Sequence, residues 1–335
     1  MAPQPQTGVD LSQLDGTVQF YCTKGLAVST HKTYQSALQK FANFCTSYSI
    51  ISPFPVSESI LCYFAAHLAS QGLSPSTIKT YLAGIRHMQI TLGLPEPKEF
   101  SSLPRLRLVQ AGIQRTYAQD RGSSRVKLPI TPAILRKIRA HWSLKCQEVD
   151  TIMLWAAAVM CFFGFFRAGE LTIPNLSAYD KSIHLSWGDV AADNTLQPRM
   201  LKVSLKRSKT DQLGKGVDVF IGKTDCPLCP IAAVLAYMVA RGSDHGPFFK
   251  FADGRALTKP KFTHHIRLAL QAVGLPYNNF TGHSFRSGAA TAAASAGIED
   301  STIRTLGRWS SSAFLVYIRT PREQLAQFSR ALSNP

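Results

Sequence analysis

From Ile152 to Phe166 the chain is uninterruptedly apolar, and the run stops at Arg167. Roughly 20 such residues are needed to cross a bilayer, so the stretch is too short for that and reads as a helix sealed inside a folded core. A helix that apolar needs a core of some size around it. At 335 residues the chain has room for two compact domains, each with its own core. Hydrophobic content of 45% against 17% charged residues leaves little of the chain for disorder.

The spacing of apolar residues gives the elements. Tyr34, Ala37, Leu38, Phe41, Phe44 and Cys45 recur at helical intervals and predict a helix from Thr30 to Ser49, capped by Ser29 or Thr30. Ser57 opens a second, carrying Ile60, Leu61, Phe64, Ala65 and Leu68 and ended by Gly72. Ser74-Pro75 opens a third with Ile78, Tyr81, Leu82, Ile85 and Met88 on one side, and a fourth covers roughly Phe100 to Gln119. After an N-terminal segment, 1–24, this makes an all-helical unit over 25–118. The polar, basic stretch 119–129 suits a linker. The second unit, 130–335, opens with helices at Thr131 to Trp142 and Val149 to Phe165. Period-two alternation follows at Ile183–Trp187, Leu201–Leu205 and Val217–Ile221, the last two flanking a polar hairpin from Lys206 to Gly216. Helices resume at Pro230–Arg241, Lys259–Val273, Ser284–Ala296, Ser301–Gly307 and Pro321–Leu332. The predicted class is mainly α with a small antiparallel β-sheet, an α+β fold.

A formal net charge of +17 and a pI near 9.8 attract polyanions, nucleic acid first among them. Charge alone fits a protein kept soluble by self-repulsion equally well. Its distribution is more informative. Between Arg105 and Lys145 only Asp120 opposes Arg105, Arg107, Arg115, Arg121, Arg125, Lys127, Arg136, Lys137, Arg139 and Lys145. So one-sided a run suits a surface that tracks phosphates. Met1 to Asp10 lacks the apolar centre of a signal peptide, so an intracellular, reducing setting is expected. The 7 cysteines are scattered and suggest no disulfide framework. Cys226-Pro-Leu-Cys229 has the spacing of half a zinc knuckle, but no second pair follows it. A turn into the helix at Pro230 is the preferred reading.

Four fragments could do chemistry, and each alone has a plainer explanation. Arg167, where the apolar helix ends, could hold an anion or simply pair with Glu170. His283 and Arg286, three apart at a helix start, could share a phosphate, or His283 could be a surface or capping residue. Tyr317, shortly after the turn Gly307-Arg308-Trp309, could be a nucleophile or a core residue. Lys209, in the hairpin, could act on a substrate or be a solvated loop lysine.

Taken in chain order, Arg167, Lys209, His283, Arg286, the Gly-Arg-Trp turn and Tyr317 resemble the catalytic set of the tyrosine recombinase or phage integrase family. Nearly the whole chain is covered by the resemblance, since a helical core-binding (SAM-like) DNA-binding domain before a catalytic domain is the family plan. Arg-Ala-Gly-Glu-Leu, Gly-His-Ser-Phe-Arg-Ser-Gly and Gly-Arg-Trp with Tyr-Ile-Arg look closest to eukaryotic transposon recombinases of the Crypton and DIRS type.

The resemblance implies that Arg167 and Arg286 hold the scissile phosphate and that Tyr317 attacks it, leaving a 3′-phosphotyrosyl bond and a free 5′-hydroxyl. A phenol ordinarily titrates near about 10, so attack at neutral pH needs a proton acceptor, for which His283 matches the family position. Lys209 matches the position that protonates the departing oxygen. Family members carry a His or Trp nine residues before the nucleophile, where this chain has Arg308. Trp309, one residue later, is the favoured occupant of that role, with Arg308 as the other choice. Arg121, Arg125, Lys127 and Arg308 are expected on DNA. The resemblance implies no cofactor and no metal, double-stranded DNA as partner, a homotetramer on DNA, no membrane association and a nuclear location. A type IB topoisomerase and a domesticated, inactive DNA-binding protein are the other readings.

Overall fold

The structure, a computed structural model, describes residues 11–95, 103–120, 127–143, 148–194, 196–208, 211, 214–243 and 245–318. The chain divides into two units, Met1–Ser124 and Arg125–Pro335, with the division falling inside the polar stretch between the two helical patterns.

In the first unit the helices are α1 (Asp15–Lys24), α2 (Val28–Ser47), α3 (Glu58–Ser70), α4 (Pro75–Thr91) and α5 (Pro104–Asp120). Phe41 and Phe44 of α2, Leu61, Phe64 and Leu68 of α3, Ile78, Leu82 and Ile85 of α4 and Leu106 of α5 form its core. Ser57 and Ser74 cap α3 and α4 by accepting the N–H of Ile60 and Thr77. Two details differ from the sequence reading. The second helix starts at Val28 with Ala27 as its flanking residue, and Thr33 and Ser36 donate back to the main-chain oxygens of Ser29 and Lys32. Helix α1 leaves no signal in the sequence, because none of its residues is buried and it has no apolar stripe.

The second unit contains α6 (Pro132–Ser143), α7 (Val149–Phe163), α8 (Ala168–Leu171), strands β1 (Val190–Ala192), β2 (Met200–Leu205) and β3 (Val217–Gly222), then α9 (Pro230–Arg241), α10 (Lys259–Ala272), α11 (Ser284–Ser295) and α12 (Asp300–Leu306). The sheet is antiparallel in the order β1-β2-β3, with Leu201 opposite Ile221 and Val203 opposite Val219. These alternate positions face the core while Met200 and Lys202 are exposed. The strand expected at Ile183–Trp187 is absent, and the first strand lies further on at β1. Asp180 explains the miss: its carboxylate accepts from the N–H and hydroxyl of Ser182 at 2.8 and 2.6 Å, and its carbonyl accepts from His184 at 2.8 Å. The chain turns there before it can extend.

Helix α7 is the centre of this unit, with Met153, Ala156, Ala157, Ala158, Val159, Met160 and Cys161 fully enclosed. Its neighbour α11 carries Gly288 at a point where an added Cβ would sit 1.8 Å from the carbonyl oxygen of Ile130. Only glycine lets that backbone pass so close.

Candidate active site

Two helix ends build the site. At the end of α7, the N–H of Phe166 donates to Cys161 and that of Phe165 to Phe162, while Phe165 takes the left-handed conformation, φ 50. At the end of α12, the N–H of Trp309 donates to Arg304 and that of Arg308 to Thr305, and Arg308 is left-handed too, φ 54. Both are Schellman endings with a residue other than glycine at the left-handed position, a strain of order 1–3 kcal/mol each. Two guanidiniums bind the carbonyls these turns expose. Arg286 donates through Nη1 to Phe165 O at 2.7 Å and through Nη2 to Gly307 O. Arg308 donates to Gly164 O at 3.1 Å and Phe165 O at 3.3 Å.

Glu170 is the counter-charge. Its Oε1 accepts from Arg167 Nη1 at 2.7 Å, and its Oε2 accepts from the Arg167 backbone N–H at 2.9 Å and Arg308 Nη2 at 3.0 Å. The Glu170 side chain is 5% exposed. Arg167 therefore makes its local pair and still stands beside Arg286, whose charge responds to it. Three guanidiniums against one carboxylate leave two positive charges in a nearly closed space. That imbalance is unfavourable until an anion arrives.

Arg286 is the largest enclosed side chain of the molecule's described part, 1% exposed. Burial, then the charge of Arg167, lowers its pKa to about 9, with Glu170 pulling the other way, Arg308 lowering it further and Tyr317 raising it. It is still a cation at neutral pH. The Nε atoms of Arg286 and Arg308 are buried and meet no acceptor.

Trp309 lies over Arg286, 4.3 Å from guanidinium carbon to ring centre, and packs on Phe165, Phe314 and Tyr317 at 6.1, 5.9 and 5.7 Å. A Cβ on Gly307 would fall 1.6 Å from that indole, which is why the turn reads Gly-Arg-Trp. Tyr317 closes a short 3₁₀ helix, Ser312–Tyr317, anchored by buried Phe314. Its carbonyl accepts from the hydroxyls of Ser287 at 3.0 Å and Thr291 at 3.1 Å, both on the helix that carries Arg286. The half-buried ring is thus fixed from two sides.

His283 precedes α11 and keeps an exposed face. Its imidazole pKa is lowered by partial enclosure and then by Lys259, Arg167, Arg286 and Lys127. Lys259, exposed at the start of α10, runs past Gly169 and Gly282, whose missing Cβ atoms would lie 3.9 and 4.0 Å from its stem. Sequence reading gave no signal for Lys259, for Ser287 and Thr291, or for the bond joining Glu170 to Arg308.

Of the residues singled out in the sequence, Arg167, His283, Arg286, Trp309 and Tyr317 belong to this one constellation. Arg308, expected on DNA, has a side chain that is 13% exposed, and its guanidinium bonds two carbonyls and Glu170. Lys127 is exposed. Lys209, Arg121, Arg125 and the helix expected at Pro321–Leu332 lie outside the described residues. No group of three metal-ligating side chains occurs among the described residues.

No family model matches the chain. It is 23% identical over 301 residues, 86% of its own length and 80% of the other's, to an integrase/recombinase XerD homolog of Selenomonas ruminantium. Among solved structures it is similar to the XerH site-specific recombinase bound to its palindromic difH substrate, with TM-score 0.63 and 16% identity over 96% of this chain and 85% of that one. The chain has the fold of that recombinase. A lambda integrase dimer bound to a COC′ core site is similar too, with TM-score 0.56 and 15% identity over 90% of this chain and 95% of that one. The likeness in fold takes in the helical first unit as well as the second, since the two structural overlaps cover 96% and 90% of this chain.

Proposed function

We propose that this chain is a site-specific recombinase that cuts and rejoins DNA strands through a covalent bond between Tyr317 and a 3′-phosphate. The observation that carries the proposal is the stack of Arg286, Trp309 and Tyr317 beside Arg167 and Arg308, where positive charge exceeds negative. In this reading Arg167 and Arg286 take the non-bridging oxygens, and the negative charge growing on those oxygens offsets the mutual repulsion of the guanidiniums. The Tyr317 oxygen attacks phosphorus, and His283 accepts the phenolic proton. Lys209 protonates the 5′ oxygen that leaves, and Lys259 grips phosphate beside it. Reversal with a different 5′-hydroxyl seals a new strand, with the bond energy stored on Tyr317 throughout. Trp309, which touches Tyr317, fills the sixth position, and Arg308 holds the frame.

Exchange between two duplexes calls for a homotetramer on DNA. The motif likeness to Crypton and DIRS elements supports a eukaryotic mobile-element enzyme working in the nucleus. Joining of two differently labelled duplexes is the deciding assay. Relaxation of supercoils by a monomer, with no joined product, would indicate a type IB topoisomerase instead.

The lowered pKa of His283 sets a pH expectation. A depressed folded value means that the folded chain holds this proton less well than the unfolded chain, so the neutral form persists below the ordinary value of about 6.5. Single-turnover cleavage should keep its full rate down to about pH 6.5 and fall only below it. An acid limb above that value would remove His283 as acceptor.

Replacing Arg121, Arg125 and Lys127 by glutamine should weaken binding to any duplex and flatten the log Kd against log salt plot, by about 0.9 in slope for each phosphate that is no longer neutralised. An unchanged slope would take this stretch off the phosphates.

A further inference from the structure

Cys226 and Cys229 lie between β3 and α9, in Asp225-Cys226-Pro227-Leu228-Cys229-Pro230. The N–H of Cys229 donates to the carbonyl of Cys226 at 3.0 Å, closing a turn over Pro227 and Leu228. The ends of such a turn have Cα atoms within about 7 Å, and disulfides span about 4.4–6.8 Å between Cα atoms. The turn therefore holds the two residues near bonding distance. The Thr224 hydroxyl oxygen is 3.5 Å from Cys226 Sγ.

The two thiols have different surroundings. Cys226 is exposed, whereas Cys229 is 8% exposed and lines a cleft of about 210 Å³ with Trp142, Trp155 and Pro227. Cys229 also flanks the start of α9, where Pro230 has no N–H and the next free donors are Ile231 and Ala232. Its side chain makes no close capping bond. Burial pulls its pKa up, but the N–H groups of Ala232, Thr224 and Ile231 and the Thr224 hydroxyl outweigh this, and the pKa is lowered. Cys45, Cys62 and Cys161, buried as well, go the other way.

We propose that Cys226 and Cys229 form a redox-active dithiol that reacts with low-molecular-weight disulfides and closes into an intrachain disulfide. The exposed Cys226 thiolate attacks a sulfur of the small disulfide, breaks its S–S bond and releases one thiolate. The Cys229 thiolate then attacks Cys226 Sγ and expels the second. Two protein thiols are oxidised, one small disulfide is reduced to two thiols, and the two protein protons end on those products.

The full chain, equilibrated with oxidised and reduced glutathione and then acid-quenched and alkylated, gives the test. Trypsin leaves both cysteines in the peptide following Lys223, which ends at Arg241. That peptide should lose both alkylation sites and weigh two hydrogen atoms less, while Cys22 stays alkylated. Cys229→Ser should instead accumulate one glutathione on Cys226, and Cys226→Ser, at an exposed position, should form no cross-link. A fully alkylated peptide in the most oxidising mixture overturns the proposal. So does a Cys229→Ser chain that carries no glutathione, or one zinc ion per chain that disappears in Cys226→Ser.

Discussion

Tyr317→Phe should abolish covalent trapping of a nicked suicide duplex, a loss on the order of 10⁴-fold or more, with DNA affinity unchanged. The substitution is unusually clean here. Phenylalanine keeps the ring that packs 5.7 Å from Trp309, and the hydroxyls of Ser287 and Thr291 bond to the main-chain carbonyl at 317, which the change does not touch. Stability should therefore move by no more than about 0.5 kcal/mol. Denaturing gels of the trapped complex report the adduct, and a urea melt reports the fold. Parent levels of adduct from the variant would show that another nucleophile does the cutting.

Glu170→Ala is expected to cost about 3–5 kcal/mol of stability, because it leaves Arg167, Arg286 and Arg308 with no counter-charge in a space that is nearly closed. The carboxylate makes three bonds at 2.7 to 3.0 Å, and no other acidic side chain bonds these arginines among the described residues. For a unit of this size that is a fall in Tm of about 6–20 °C. Glu170→Gln keeps an acceptor and should lose less. Sulfate or phosphate should restore more stability to the alanine variant than to the parent, since an anion replaces what was removed. A thermal melt within about 2 °C of the parent would mean that the charges are already screened by solvent.

The parts of the fold that were readable in the sequence are those with a repeating apolar signal. Phe41, Phe44, Leu61, Phe64, Ile78 and Leu82 mark their helices because each must face a core, and Leu201, Val203, Val219 and Ile221 mark their strands for the same reason. Ile183, Leu185 and Trp187 imitate that alternation, but the local bonds of Asp180 turn the chain first. At the site, Arg167, His283, Arg286 and Tyr317 were readable through their order along the chain. The left-handed backbone at Phe165 and Arg308 was not, because neither residue type advertises that conformation. Nor were Ser287 and Thr291, whose bonds reach Tyr317 across 30 and 26 positions, or Lys259, which belongs to no local pattern.

Arg286 and Arg308 tie the closing turn of α7 to that of α12, and this has a bearing on how such a chain would decay. A lineage released from cutting DNA would still need both arginines to keep its two helix ends together, whereas nothing in the packing demands the phenolic oxygen of Tyr317 or the imidazole of His283. Retained arginines are therefore a record of architecture. The first scars of lost activity should be sought at the tyrosine and the histidine, in copies whose arginines still look untouched.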